Sequence, residues 1–529
     1  MKKFSTAIFL ALFGLFAQAQ GTFPFDIVLE PKPVSGLPGM QSYAAAEHGG
    51  KWLIIGGRLD GLHQRQPWQS FDAAGHNTSI YVVDPAAGQY WSAPLTGIGN
   101  DTLEAQLAAT NPNFHQEGDL LYLIGGYGLD ANAVHITHPM FTVVDVPTLM
   151  AHIIDSASVT SAAFQTLSGE YYAVTGGKLM FLDSTFYLVG GQRFDGQYNP
   201  MGHNTYVQSY TEAVRRFTVS GTFPNLSVDT LSSWVDTDEL HRRDYNVTYM
   251  TDGTNTTINA WSGVFQKSAD LPFLNTVEIG DTGYAAVPGF SQYLNHYHCG
   301  TASLYGESVG AMYTVFFGGI AQYYYDTNGN LVADANVPFV KTIGVVEKRN
   351  GSYSEGYSTT EMPGYLGAGA EFFPAAELAT NGQIFLADSI GTDTVTIGHI
   401  FGGISSPAAN VFFTGQTNTS VASSNIYEVK LVRNSSIGII ESEVGSDLAL
   451  QVNPNPANGR LIAQIHSPAR GMTDFEVLDS TGRLVYATSI PTKPGLNTMD
   501  LGALNLPAAQ YVLRAKIAGV EQQLLFFWK

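Results

Sequence analysis

The sequence predicts an all-β chain: a large domain that repeats one antiparallel sheet six times, followed by a small two-sheet sandwich. Three observations predict it. An apolar run that stops at two glycines, Leu120-Leu121-Tyr122-Leu123-Ile124-Gly125-Gly126, recurs along the chain. After each copy and a polar loop comes a second apolar or β-branched run. From Leu448 onward, seven short strand-like runs are separated by turn residues.

The copies are Trp52 to Gly57, Phe186 to Gly191, Tyr313 to Gly319 and His399 to Gly403, with a weaker one at Ile258 to Gly263 where Ser262 replaces the first glycine. Such runs read as strands buried on both faces, and glycine lets the backbone leave them at positive φ. The second strands are Ser79 to Asp84, Phe141 to Asp145, Val214 to Val219, Asn275 to Ile279, Lys341 to Val346 and Ile426 to Leu431. This doublet resembles the kelch repeat, whose four-stranded β-propeller blade holds a strand ending in Gly-Gly and then one ending near an aspartate. The resemblance covers roughly residues 22 to 436. Two features depart from it: the spacing exceeds the usual period of about 50, and the tryptophan that often follows the second strand survives only as Trp91.

Lys2 and Lys3, the apolar stretch Ala7 to Phe16 and Ala17-Gln18-Ala19 read as a secretory signal peptide over 1–20. The propeller is expected over 21–433, a serine-rich linker over 434–447 and the last domain over 448–529. No later stretch approaches the roughly 18 apolar residues of a membrane helix, so no membrane span is expected in the mature chain. Charged residues are 13% and hydrophobic ones 44%, which indicates a globular chain. The net charge of −20 argues against nucleic acid as a partner. Cys299 is the single cysteine, so stability must come from burial and not from disulfides.

With the strands of a blade named a to d from the axis outward, the Gly-Gly strand is b and the aspartate strand is c. Tyr90 to Ala93 and Ala151 to Ile154 are candidates for d in the first two blades. The sixth runs out after Leu431-Val432, while Phe25 to Leu29 is a strand without a sheet. Closing the ring removes exposed edges, so the N-terminal strand is expected to complete the last of six blades.

Strand parity puts the b–c loops and the d–a connections on one face. There they gather eight of the thirteen histidines. The candidate ligand-binding residues are Arg58, His63, His76, His135, His138, Arg193, His203, Arg242, Arg243, His296, His298 and Tyr323. Each has a plainer reading. His135-x-x-His138 and His296-x-His298-Cys299 have spacings compatible with a metal, but loop histidines are commonly structural, and no metal or cofactor is assigned. Arg242 and Arg243 suit a carboxylate in a ligand, but an ion pair with a neighbouring blade is the commoner role of such residues. Tyr323-Tyr324-Tyr325 could stack on a sugar or extend the core. Asp326 to Asn330 has its glycine in the fourth place and not the sixth of a calcium loop, and Asn-Gly favours a hairpin.

Catalytic signatures are sparse: no Gly-x-Ser-x-Gly elbow, phosphate loop or dinucleotide fingerprint occurs. Kelch propellers include copper-radical oxidases resembling galactose oxidase and sugar-acid epimerases. The oxidase chemistry needs a cysteine joined to a tyrosine beside two histidines, which only Cys299 with His296 and His298 could offer.

The seven C-terminal runs suggest a small immunoglobulin-like sandwich. Asn453-Pro454-Asn455-Pro456-Ala457, Val477 to Val485 and Leu506 to Leu513 resemble the type A sorting domain of the type IX secretion system, with Ala509 where glycine is usual. The resemblance implies passage through the outer membrane, contact with the secretion machinery and release or attachment at the surface. The expected function is a secreted or cell-surface module that binds a glycan or protein. A carbohydrate-active enzyme on the same propeller, or a structural envelope component, is the alternative.

Overall fold

The computed structural model describes residues 23–433 and 449–528, apart from short stretches at 67–68, 202–204, 327–328, 376–377, 379, 382, 392–393, 454–460, 468–470, 480–482, 494, 502–503, 505 and 518–519. The expected signal peptide, the linker, His203 and most of Asn453-Pro454-Asn455-Pro456-Ala457 lie outside the described residues. The chain divides into two compact units, Met1–Ser435 and Ser436–Lys529.

Among the described residues of the first unit, six sheets share one antiparallel order, a-b-c-d. The first is Ala44–His48, Lys51–Ile55, Ser79–Asp84 and Gln89–Pro94. The second is Asn113–Glu117, Leu120–Ile124, Met140–Asp145 and Phe164–Ser168. The third is Lys178–Leu182, Thr185–Val189, Ala213–Thr222 and Asn225–Val235. The fourth is Asn246–Thr251, Thr256–Trp261, Val277–Ile279 and Tyr284–Ala286. The fifth is Thr301–Gly306, Ala311–Phe317, Ile343–Arg349 and Ser352–Tyr357. The sixth takes Ala370–Pro374, Val395–Gly402 and Ile426–Arg433, and its outer strand is the N-terminal Phe25–Pro31, with Phe25 opposite Arg433 and Pro31 opposite Tyr427.

The apolar b strands are buried on both faces because neighbouring sheets pack against each. In Lys51–Ile55, Leu53 and Ile55 share a core with Leu121 and Leu123 of the second sheet, while Trp52 and Ile54 pack with Phe373 and Phe401 of the sixth. Trp52 stacks on Phe373 at 4.1 Å. Tyr122 and Ile124 then meet Phe186 and Leu188 of the third sheet, and Tyr187 and Val189 meet Ile258 and Trp261 of the fourth. Met312 and Phe316 continue onto the fourth sheet, and Tyr313, Val315 and Phe317 face Ile397 and Ile400 of the sixth. Antiparallel sheets set radially around an axis are the architecture of a β-propeller.

The axis is drawn together by backbone hydrogen bonds between residues that precede strand a. Ser42 donates to Gly369 (2.8 Å), Gly369 to His298 (2.8 Å), His298 to Asp244 (3.5 Å), Asp244 to Gly176 (2.7 Å), Gly176 to Asn111 (3.2 Å) and Asn111 back to Ser42 (2.9 Å). One residue of each sheet enters this circle, and it closes on itself.

Two elements differ from the sequence reading. Ala151 to Ile154 is not a strand but the end of a helix, Val146–Ile154; strand d is Phe164–Ser168. Asp145 caps that helix through Thr148 N–H, Pro147 fits its first turn, and Val146, Leu149, Met150 and Ile153 are buried at helical spacing. The long a–b connection of the sixth sheet sends Ile384–Leu386 alongside Thr301–Gly306 as a parallel strand on the axial edge of the fifth sheet. As the Asn-Gly signal indicated, Tyr323–Tyr325 pairs with Leu331–Ala333.

Among its described residues, the second unit holds two sheets. One is Ala449–Asn453, Ile462–Ser467 and Gly495–Asp500; the other is Leu484–Thr492, Gly471–Asp479, Ala509–Ile517 and Val520–Trp528. Period-two burial of Leu461, Ala463 and Ile465, and of Phe475 and Val477 with Tyr511, Leu513 and Ala515, makes their common core.

Candidate functional site

Each Gly-Gly exit delivers one residue to the axis, and a bridge to the preceding d–a connection delivers a second. Arg58, just past Gly56-Gly57, exchanges backbone hydrogen bonds with Gln41 at 2.9 and 3.0 Å. Tyr127 does so with Thr110, Gln192 with Thr175 and Val264 with Arg243; Ile320 with Tyr297 and Ile404 with Ala368 are joined by a single bond each. All twelve of these residues line one cavity of about 200 Å³. Ser42, Asn111, Asp244, His298 and Gly369 of the hydrogen-bonded circle line it too, and His63, Phe71, Phe194, Tyr198 and Phe265 come from the loops beyond.

Arg58 is 2% exposed. Its Nε donates to Asp60 Oδ1 at 2.7 Å, and Nη2 reaches the other Asp60 oxygen and the Asp72 carbonyl. Its Nη1 is buried with no partner among the described residues. Arg243 donates to Asp244 Oδ2 at 2.8 Å and to the Tyr210 hydroxyl at 3.1 Å, and lies over the Phe265 ring. Burial opposes its charge, but Asp244, Tyr210 and Tyr198 outweigh burial and hold it protonated. His63, between Phe71 and Tyr198, has its pKa pulled down to about 4, chiefly by burial and then by Arg243 and Arg58. Its Nδ1 faces the Gln64 carbonyl at 3.4 Å, so the proton sits there and Nε2 is left as an acceptor.

Beneath the cavity, His298 donates from Nε2 to Glu371 Oε1 at 2.8 Å, and Lys178 Nζ approaches Glu371 Oε2 at 3.6 Å. These groups also border a second cavity of about 380 Å³, which is lined by the first strands and by Phe385 of the inserted strand. Above, the small cavity is continuous in lining with a vestibule of about 640 Å³. His63, Tyr198, Arg243, Phe265 and Tyr297 border both, and Tyr206, Tyr210, Phe339, Phe412 and Phe413 add an aromatic wall. Part of that wall is a four-stranded sheet built from two b–c loops: Tyr127–Leu129, His135–Thr137, Gln192–Gly196 and Tyr206–Tyr210.

Of the residues singled out from the sequence, Arg58, His63, Arg243 and His298 meet at this cavity. The other described ones do not line it. His135 donates to the Phe71 carbonyl behind the cavity wall (2.8 Å). His76 and His138 are buried, and burial pulls both down to about 4. Arg193 pairs with Asp195 and Glu170. Arg242, 1% exposed, spends its guanidinium on Glu239, Ser262 and Asn275 and has none left for a ligand. His296 is buried, bonds the Gly318 carbonyl and stacks on Phe316. Tyr323 packs edge-on to Tyr293.

Cys299 is buried, its thiol pushed up to about 12 by burial, and Asn246 Nδ2 is its side-chain partner at 3.6 Å. His296 and His298 point to separate partners, so a cysteine and two histidines are not gathered as an oxidase would need. No cluster of three metal-ligating side chains occurs among the described residues, and no described helix is long and apolar enough to cross a membrane. Sequence reasoning missed Gln41, Thr110, Thr175 and Tyr297, whose signal is position: each immediately precedes a member of the hydrogen-bonded circle.

No family model matches the chain, and no curated protein does. Among solved structures, the chain is similar to one titled "Structure of YjhT", with 12% identity, coverage of 74% of this chain and 97% of that one, and a TM-score of 0.42. It is also similar to a chain of a structure titled "Cryo-EM structure of RAG in complex with one melted RSS and one unmelted RSS", with 11% identity, coverage of 77% and 99%, and a TM-score of 0.35. A third is a glycoside hydrolase family 43 arabinoxylan arabinofuranohydrolase from Bacillus subtilis, with 11% identity, coverage of 94% and 96%, and a TM-score of 0.26.

Proposed function

We propose that the first unit is a closed six-bladed kelch-type propeller that binds a glycan in its axial funnel. The observation that carries this reading is convergence: paired residues from all six sheets line one cavity, which opens into an aromatic vestibule. Aromatic faces pack against sugar rings, while fixed donors and acceptors at the base select hydroxyl geometry. A concave site of this size favours a glycan over a folded protein as ligand. The closed circle of hydrogen bonds and the pairing of Phe25–Pro31 with Ile426–Arg433 support the six-bladed ring.

The second unit is proposed to be an immunoglobulin-like sorting domain for type IX secretion, with the mature protein released or held at the outer-membrane surface. Its motif resemblance and its two sheets over one core support this reading. Intact mass of the exported protein tests it: a chain starting near residue 21 and lacking the region from 448 is expected, and a full-length product would contradict it.

The glycan reading is tested on an array of neutral and acidic glycans with the full chain and a Phe412→Ala/Phe413→Ala variant. Retention of a defined subset by the first, weakened by the second, is expected. A blank array overturns the reading. A carbohydrate-active enzyme is the second reading, favoured by the Glu371-held His298 at the cavity floor; a changed product after incubation with a retained glycan would establish it.

A further inference from the structure

The charges around the axial cavity cancel in pairs. Arg58 is matched by Asp60, Arg243 by Asp244 and Lys178 by Glu371. Asp72 lies a further 3.9 Å from Arg58 Nη2, so the base of the funnel is balanced or slightly negative. His63 is neutral at physiological pH and presents a bare acceptor nitrogen. An anion entering here would leave water without gaining an uncompensated cation, and would meet the acceptors of His63 and Asp244; burying a charge on those terms is unfavourable. Hydroxyl groups both donate and accept, so they can use the free Nη1 of Arg58 and the Nε2 of His63 together. In the vestibule Arg65 and Lys267 face Asp270, and Lys267 is itself paired with Glu212 at 3.5 Å and Asp238 at 3.7 Å, so no net positive field draws anions inward.

We infer, resting on the glycan reading above, that the axial cavity selects an uncharged polyhydroxylated sugar and discriminates against its carboxylated counterpart. Asp60 is the specificity element: it occupies the Arg58 fork that a ligand carboxylate would otherwise take.

The test uses the full chain and matched pairs, galactose with galacturonate and glucose with glucuronate, as monosaccharides and as reducing-end residues of short oligosaccharides, in isothermal titration at fixed ionic strength. In every pair that binds, the neutral member is expected to bind at least tenfold more tightly. In Asp60→Asn, whose altered side chain is 42% exposed and tolerates the change, the carboxylated member is expected to gain at least tenfold. Equal or tighter binding of the acid by the unaltered chain overturns this inference and leaves the glycan reading standing. Binding by no pair, together with a blank array, overturns both.

Discussion

Lys178 and Glu371 meet across the axis of the first unit, Nζ and Oε2 3.6 Å apart, although they lie in the first strands of the third and sixth sheets. His298, on the other carboxylate oxygen, lines both cavities, while Lys178 and Glu371 border the lower one. The contact joins the third and sixth sheets directly. Burial alone would raise the Glu371 pKa, but Lys178 and then His298 outweigh burial and hold it below the usual carboxylate value of 4.5. Its stabilisation is therefore fully present above pH 4.5 and is lost as pH falls through the lower folded value. Glu371→Gln is expected to cost about 1–3 kcal/mol at pH 7 and to flatten the acid limb of stability, measured by denaturant unfolding from pH 3 to 7.

Glu355 behaves in the opposite sense. It accepts from the backbone N–H groups of Tyr293 and Leu294 at 2.9 Å each, yet burial dominates and lifts its pKa to about 8. Protonation is favoured in the folded state, so this contribution is full below pH 4.5 and disappears as pH rises towards 8. Wild-type stability is expected to decline across that window by an amount of order a few kcal/mol, and Glu355→Gln is expected to decline less. Parallel slopes for the two proteins would contradict the assignment.

Arg242 and Arg58 separate structure from binding. Arg242 is fully engaged by Glu239, Ser262 and Asn275. Arg242→Met is expected to destabilise by about 3–5 kcal/mol, because it leaves the partly buried Glu239 carboxylate without its cation and three backbone carbonyls without their donor, while ligand affinity per folded molecule stays the same. Thermal unfolding beside active-fraction titration checks both halves.

Ring closure can be trapped covalently. Val28 and Lys430 are directly opposed in the antiparallel pair that joins the chain's first strand to the last strand of the unit. Opposed Cα atoms in such a ladder lie about 4.5–5.5 Å apart, within disulfide reach. Val28→Cys with Lys430→Cys is expected to form an intramolecular disulfide on mild oxidation, seen as a gel shift reversed by reductant. The buried Cys299 stays out of the reaction. Free thiols in the folded protein would contradict the pairing.

The apolar runs ending in Gly-Gly were legible because burial on both faces and a positive-φ exit each leave a mark in sequence. Ser262 shows the limit of the glycine rule: it takes φ +50 in the weak copy, and its hydroxyl bonds the Phe273 carbonyl. Arg58 and Arg243 were legible as charged residues in loops, but Gln41, Thr110 and Thr175 were not. They reach the cavity through backbone bridges that no local pattern announces. Helix Val146–Ile154 hid behind its own apolar residues, which read equally as a short strand until the Asp145 cap and the i, i+3, i+4 spacing are weighed. Arg242 and Arg243 are neighbours in sequence with opposite fates, because the chain turns between a structural niche and the axis.

The central claim, that the funnel at the axis is the binding site, is tested most directly by titrating one array-retained glycan into the unaltered chain and into Arg58→Lys. The substitution keeps a positive charge but removes the unpaired Nη1 donor of the residue that lines the cavity. Arg58→Lys is expected to lose at least tenfold in affinity, about 1.4 kcal/mol, with the fold intact by thermal unfolding. Equal affinity in the two folded proteins would contradict it.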